Sequence, residues 1–506
     1  MTKDEAEALV RALATNNARH LFTRGIDLIK ADYPEILLPV AKTATRQFPD
    51  DPRVHQLLGL AARAVGESHE ALEAFSRAAQ LAPNDALIAH SHARVALEAG
   101  RPSSGLFERA RLLSPNDGAV LLGRSAARVQ EGNATLAIEE LEDILQSNPL
   151  WTDGHRAAAQ IRAQEGLELD ATLRAAIALH PSQPDLRRLH ISLLLEARDL
   201  PAADRAAIDA FKMLGDQPWL TFLAAHIASE RGDLIAADRL FSKTPVPSTP
   251  EDVSLLARHA IRARRPEVAV GLLEQWIEQD RNHLLWPYLS LAWRMTGDRR
   301  WHWLEGDERL VGVYDLAERF DNLDGLAEHL RALHVAREAP LDQSVRGGTQ
   351  TDGNLLLRDE PQIRALRALL LETVSRHVAQ LPDHAEGHPT LPRQRECQRI
   401  SGSWSVRLKD SGFHSDHVHS QGWLSSALYV SLPDSLSSPG KDSSHEGWLS
   451  LGECRDLLPE LEPIRLIEPR PGRLVLFPST MWHGTRAFPA GERMTVAFDI
   501  ALPRQS

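Results

Sequence analysis

Prolines at positions 49, 83, 115, 149 and 181 recur at intervals of 34, 32, 34 and 32 residues. A period of roughly 20–50 residues confines a chain to repeat architectures, because each unit is one supersecondary element that cannot bury its apolar face alone. The stretch from Pro52 to Pro83 shows what the unit is. Leu58, Gly59, Ala62, Ala71, Phe75 and Ala78 stand at helical spacing on two segments that meet at Gly66. Small residues at Gly59, Ala62 and Ala71 let two antiparallel helices approach closely, while Phe75 fills the space between them. Gly66 suits the turn because it lacks Cβ. Pro83 ends the second helix.

These small and large positions resemble the tetratricopeptide repeat, a helix–turn–helix of about 34 residues. The pattern returns with Gly132, Ala137, Leu141 and Pro149, and then with Gly166, Ala171 and Pro181. It recurs in degenerate form with Gly232, Ala237 and Phe241, and around Trp286, Leu289 and Gly297. Matches in register predict an all-α tetratricopeptide-repeat solenoid over residues 1–310. Stacked helix pairs curve into a concave surface suited to a protein or peptide partner. A solenoid serving only as a spacer is the plainer alternative, and the scattered Arg, His and Glu of its helices read as solvated faces.

Composition narrows the function classes. The 506 residues carry 57 Lys+Arg against 69 Asp+Glu, a formal charge of −12, which argues against binding a phosphate backbone. With 43% hydrophobic and 25% charged residues the chain is not globally disordered. Only two cysteines, Cys397 and Cys454, exclude a disulfide framework and a thiolate zinc cluster, and each reads as a buried small hydrophobe. The 22 histidines leave imidazole and carboxylate as metal ligands. The N-terminus has charges directly after Met1 and no signal-peptide pattern, and no apolar run approaches about 18 residues. The expectation is a cytoplasmic protein with no nucleic-acid or membrane partner.

Beyond residue 310 the pattern changes. Residues 311–358 read as a connecting segment, with Gly347, Gly348 and Gly353 breaking regularity. An amphipathic helix is expected from Glu360 to Leu381, carrying Ile363, Leu366, Leu369, Leu370, Val374 and Val378. Residues 404–408, 423–432, 465–469, 472–478 and 493–500 then read as strands. The Ser/Pro/Gly/Asp-rich stretch 433–447 reads as a mobile loop. Short strands without intervening helices suggest a β-sandwich or barrel over residues 359–506.

Chemistry concentrates at 412–433, where His414, Asp416, His417 and His419 fall within six residues. His483 follows 64 residues after His419, and Arg493 ten residues later. Three protein ligands on one face of a metal leave three positions open, the geometry of non-haem Fe(II) oxygenases. Residues 340–503 resemble the 2-oxoglutarate- and Fe(II)-dependent oxygenase superfamily. They look most like the bacterial oxygenase family found behind tetratricopeptide repeats. PLDQSVRGGTQT, SWSVRL, HVHSQGW, SSALYV, PGRLVLFPS and the His483/Arg493 pair carry the resemblance.

The resemblance implies a double-stranded β-helix (jelly roll) and a dioxygenase that uses Fe(II), O₂ and 2-oxoglutarate, with ascorbate as a supportive reductant. It implies decarboxylation of 2-oxoglutarate to succinate coupled to oxidation of an unreactive C–H bond, here on a protein or peptide recruited by the solenoid. Side chains two apart share a face of a strand, so the metal set is either His417, His419 and His483 or the pair His414/Asp416 with His483. The His-x-Asp spelling favours the second. Gapless placement on the superfamily pattern, and the subfamily's His-x-His spelling, favour the first. Arg493 and Thr495 resemble the Arg-x-Ser/Thr pair that binds the distal carboxylate, a role suited to the planar guanidinium. Tyr429 could donate to the same carboxylate or simply pack, and Trp423 and Trp448 read as packing. The remaining alternatives are a non-catalytic interaction scaffold with a structural or metal-sensing jelly roll, and a cupin-like three-His dioxygenase without cosubstrate.

Overall fold

The computed structural model describes residues 1–13, 17–341, 343–396, 398–437 and 445–504. Cys397 and positions 438–444 of the Ser/Pro/Gly/Asp-rich stretch lie outside the described residues. The described part of that stretch includes a short helix, Asp434–Ser437.

Helices start where the repeat's Asp residues cap them. Asp51, Asp85 and Asp117 accept hydrogen bonds from backbone N–H groups in the first turns of Pro52–Ala64, Ala86–Glu98 and Gly118–Gln130. Each satisfies donors that the helix itself leaves orphaned. The small-residue positions are sterically enforced: a Cβ at Gly59 would lie 2.6 Å from the Phe75 ring, and one at Gly123 would lie 2.2 Å from Phe107. Ala62, Ala71, Phe75 and Ala78 are fully buried. Helix pairs of this kind succeed one another from Ala18 to Glu305.

Two compact units divide the chain. One comprises Met1–Leu141, Asp352–Leu371 and Arg504–Ser506, and the other Glu142–Thr351 with Glu372–Pro503. The second unit holds later repeats and all the strands. These are β1 (Gly312–Asp315), β2 (Val345–Gln350), β3 (Ile400–His414), β4 (Gly422–Ser431), β5 (Leu449–Leu451), β6 (Arg465–Ile467), β7 (Arg473–Pro478), β8 (His483–Thr485) and β9 (Glu492–Ala501). A six-stranded sheet runs β1-β7-β4-β9-β3-β2 and a three-stranded sheet β6-β5-β8, all antiparallel. Tyr429, Val475 and Phe477 from the large sheet share a core with Leu449, Leu451 and Ile467 from the small one. This closes the β-sandwich of the jelly-roll fold.

Residues 311–358 do more than connect. They supply β1 and β2, the two edge strands of the large sheet, and the helix Leu323–Leu333. The glycines that obscured β2 are what let it pair. Gly347 has φ +72° at a register shift, and a Cβ at Gly348 would lie 2.3 Å from the Arg407 carbonyl. The expected amphipathic helix spans Pro361–Gln380, with Ile363, Leu366, Leu370, Val374 and Val378 buried.

Within the second unit the sandwich and the last helix pairs share one core. Leu273, Leu289, Ala292 and Trp293 pack with Cys454, Leu457, Leu458 and Trp482. Trp482 Nε1 donates to the Pro287 carbonyl at 3.0 Å, and its ring stands edge-on to Tyr288 at 5.7 Å. Cys454 is the expected buried hydrophobe, its thiol pushed up to about 12 by burial. No helix among the described residues is long and apolar enough to cross a membrane.

Candidate metal centre

β3 ends at His414, and the residues up to β4 are not regular strand. Backbone pairing orders them instead. The N–H groups of His417 and His483 donate to each other's carbonyls at 2.9 and 3.0 Å, and His419 N–H donates to the Ser479 carbonyl at 3.0 Å. His417 thus pairs with the first residue of β8, and His419 with the turn between β7 and β8. Ligand nitrogens of His417, His419 and His483 lie within 4.8 Å of one another. The ring centroids of His417 and His483 are 4.1 Å apart.

Each of these rings has its Nδ1 occupied by an acceptor. His417 Nδ1 lies 2.8 Å from the Ser415 carbonyl, and His483 Nδ1 lies 3.0 Å from the Met481 carbonyl. His419 Nδ1 lies 2.8 Å from both carboxylate oxygens of Asp499. Acceptors beside all three rings place the proton on Nδ1 and turn Nε2 out as the ligand atom, that of His417 lying 3.3 Å from Ser344 Oγ. Burial, reinforced by the neighbouring imidazoles, holds His417 and His483 well below the usual imidazole range. They are therefore in the neutral form that ligates metals.

Of the alternative pair, Asp416 is engaged by Arg455 while His414 stays beside the cluster. Asp416 Oδ2 accepts from Arg455 N–H and Nε at 2.7 and 2.8 Å, and Oδ1 accepts from Nη2 at 2.5 Å. Gly484 makes room for this carboxylate, since a Cβ there would lie 2.1 Å from Asp416 Oδ1. His414 borders the histidine cavity, with Nδ1 2.9 Å from Ser344 Oγ. Burial pushes its pKa down to about 3.

Arg493 is 2% exposed, and its Nε and Nη1 have no hydrogen-bond partner among the described residues. Its guanidinium carbon sits 5.0 Å over the ring of the buried Tyr429. Glu492, the obvious counter-ion in sequence, pairs instead with Arg331 and Arg407. A buried cation left without partners costs free energy unless an anion joins it. Thr495 stands on the same strand face and lines the cavity with Arg493. Tyr429 lies in the sandwich core beneath the guanidinium. Trp423 is buried, with Nε1 donating to the Thr390 carbonyl at 2.9 Å, and Trp448 packs against His445.

Two cavities meet at the histidines. A narrow inner one of about 50 Å³ reaches Arg493 and Thr495, and a wider outer one of about 440 Å³ leads away from His417 and His419. Trp404 and Ser344 border both. The donor set fits Fe(II): three oriented imidazoles, with the Asp499 carboxylate behind His419. The orphaned buried guanidinium fits a dicarboxylate cosubstrate.

Sequence reasoning missed Asp499, Ser344 and Trp404. Asp499 was within reach of it, since Arg493, Thr495 and Asp499 share the parity of one strand. Ser344 is brought in by β2, whose glycines hid the strand.

Among solved structures, a tetratricopeptide repeat protein from Parabacteroides merdae is 19% identical, with 45% of this chain and 91% of that one covered and a TM-score of 0.29. YrrB, described as a TPR protein with an unusual peptide-binding site, is 18% identical over 36% of this chain and 96% of its own, also with a TM-score of 0.29. MamA from Desulfovibrio magneticus is 17% identical over 33% and 97%, with a TM-score of 0.29. Among curated proteins none matches the chain. Residues 402–499, the segment that supplies the three histidines and Arg493, match the family described as "Putative 2OG-Fe(II) oxygenase".

Proposed function

We propose that this chain is an Fe(II)- and 2-oxoglutarate-dependent dioxygenase that hydroxylates a protein or peptide substrate. The observation that carries the reading is the pairing of two features across one cavity. Three histidines have every Nδ1 anchored and their ligand nitrogens converging, and a buried arginine on the same cavity lacks a counter-ion among the described residues.

His417, His419 and His483 would hold the ion. Bound Fe(II) supplies the oxidative chemistry: 2-oxoglutarate and O₂ yield succinate and CO₂, with one oxygen atom entering a substrate C–H bond. Arg493 and Thr495 receive the distal carboxylate of 2-oxoglutarate, and the planar guanidinium offers it two parallel N–H donors. Asp499 holds the His419 ring in one tautomer and orientation. Trp404 and the sandwich core wall the inner cavity, limiting water around the cosubstrate.

The test is purification of the full chain with Fe(II), 2-oxoglutarate and ascorbate. Retained iron and succinate formation are expected, even without a substrate. No retained iron together with no succinate would overturn the reading and leave a non-catalytic scaffold. Succinate formation that survives Arg493→Ala would remove the assigned cosubstrate role.

A further inference from the structure

The helix pairs turn through a left-handed residue at a fixed place in each repeat. It is glycine at 66, 100, 132, 166, 232 and 297, with φ between +70° and +80°. Asp32, Arg198 and Arg264 occupy the same place with φ of +66°, +57° and +58°. Side chains other than glycine rarely adopt this conformation, and an observed outlier is a reason to look for function. All three exceptions reach residues beyond the repeats. Asp32 accepts from Arg504 at 3.2 Å. Arg264 donates to the Leu457 carbonyl at 3.0 Å and to Glu460 at 2.9 Å. By contrast, at Gly132, Gly166, Gly232 and Gly297 a Cβ would meet nothing within 4 Å.

Arg198 differs from the other two in where it lies. It lines the outer cavity of about 440 Å³ whose floor is His417 and His419, together with Leu195 and Glu196 from the end of the helix Pro184–Glu196. The remaining wall is mostly polar, with Gln343, Ser344, Gln350, Ser415 and Asp499 beside Trp404 and Val418. Two acidic groups of the lining are already engaged: Glu196 by Arg156 at 2.8 Å, and Asp499 by His419 and Ser425. Arg198 contacts Asp456 at 3.2 Å and Ser415 Oγ at 3.5 Å, with its side chain 52% and that of Asp456 44% exposed. An exposed pair of this kind is weak and exchangeable. A guanidinium has five donors, so several remain for a ligand. Arg346 lies within electrostatic reach and adds a second positive charge.

We infer that Arg198, a residue of the repeat solenoid, is a specificity-determining residue of the oxidation site, and that it receives a carboxylate of an acidic peptide substrate lying in the outer cavity. The assignment rests on the oxygenase reading, since the histidines floor the same cavity. It gives the solenoid a direct part in substrate choice at the reacting centre. The carboxylate could equally come from a free amino acid, so the test separates the two sources.

The test uses the full chain with Mn(II) and 2-oxoglutarate under anaerobic conditions, and fluorescent heptapeptides differing only in a central Asp, Asn or Lys. Binding is read by anisotropy. The Asp peptide should bind at least about tenfold more tightly than the other two. Arg198→Gln should erase this preference, Arg198→Glu should invert it toward Lys, and Arg198→Lys should keep it in part. Arg264→Gln, which removes the other arginine from a left-handed turn, should leave it intact. Binding of all three peptides within twofold by the wild type, or an undiminished preference in Arg198→Gln, would overturn the inference. Free aspartate competing as well as the Asp peptide would overturn the peptide as the source, and failure to compete supports it. Iron content and succinate formation are read on the same preparations. Acid preference without iron or succinate sinks the oxygenase reading alone, and iron with succinate but no preference sinks this assignment alone.

Discussion

Asp499→Asn isolates the charge behind the histidine cluster. Both Asp499 oxygens lie 2.8 Å from His419 Nδ1, and Oδ1 also accepts from Ser425 Oγ at 2.6 Å. Asparagine keeps an oxygen to accept the Nδ1 proton, so ring orientation and tautomer persist while the negative charge is lost. With three imidazoles as the donor set, this carboxylate is the anion in direct contact with the cluster. Removing an outer-shell partner of a metal ligand typically weakens binding about 10–100-fold, or about 1.4–2.7 kcal/mol. The expectation is a value toward the lower end for Asp499→Asn and toward the upper end for Asp499→Ala, which loses orientation as well. The assay is anaerobic titration with Mn(II), read by calorimetry and by the free-ion signal in electron paramagnetic resonance, with circular dichroism as the folding control. Dissociation constants within twofold of wild type for both variants would refute the reasoning.

Other perturbations probe the site and its support. Arg493→Met should abolish 2-oxoglutarate-dependent succinate formation yet raise the unfolding temperature of the cosubstrate-free protein, because two buried orphan donors disappear, each worth about 1–3 kcal/mol; a lowered melting temperature would contradict this. Glu305 is 4% exposed, its Oε2 accepts from Ser290 Oγ at 2.5 Å, its Oε1 has no hydrogen-bond partner among the described residues, and burial raises its pKa to about 7. Because the folded state holds that proton more tightly than the unfolded chain, stability should fall as pH rises from the ordinary carboxyl value of 4.5 through about 7, a loss on the order of 3 kcal/mol. Glu305→Gln should flatten that slope in melting curves from pH 5 to 8 (about three units), and an unchanged slope would dismiss the assignment. Trp482→Ala removes the Pro287 hydrogen bond and the Tyr288 contact beside His483, so it should cost about 3–5 kcal/mol in denaturant unfolding and lower metal retention. A cost below about 1 kcal/mol would show that the shared core does not support the ligand.

Much of the fold was legible because it is encoded locally. Gly59 and Phe75 announce a close helix pair whose geometry bears them out, and proline and aspartate punctuate each repeat. The strands with period-two patterning, such as 404–408 and 493–500, were readable for the same reason. β2 was not, because its pairing depends on glycines that allow close backbone approach and carry no apolar alternation. β5 and β8, three residues each, were also missed.

The histidine segment marks the limit more sharply. Its spacing offered two ligand sets of equal local geometry, since alternation along an extended chain treats His414 and Asp416 like His417 and His419. In the tertiary structure partners distant in sequence treat the two sets differently. Arg455 takes Asp416, and the backbone of β8 pairs with His417. By itself the sequence determined the helical repeats, the β-rich C-terminal region and the clustering of histidines near a later His and Arg, because these are matters of period and residue type. Only the tertiary structure decided which rings converge, that Arg493 is buried without a counter-ion among the described residues, and that Arg198 from a repeat turn borders the cavity on the outer side of the histidines. Those depend on contacts between residues tens to hundreds of positions apart, where local pattern carries no information.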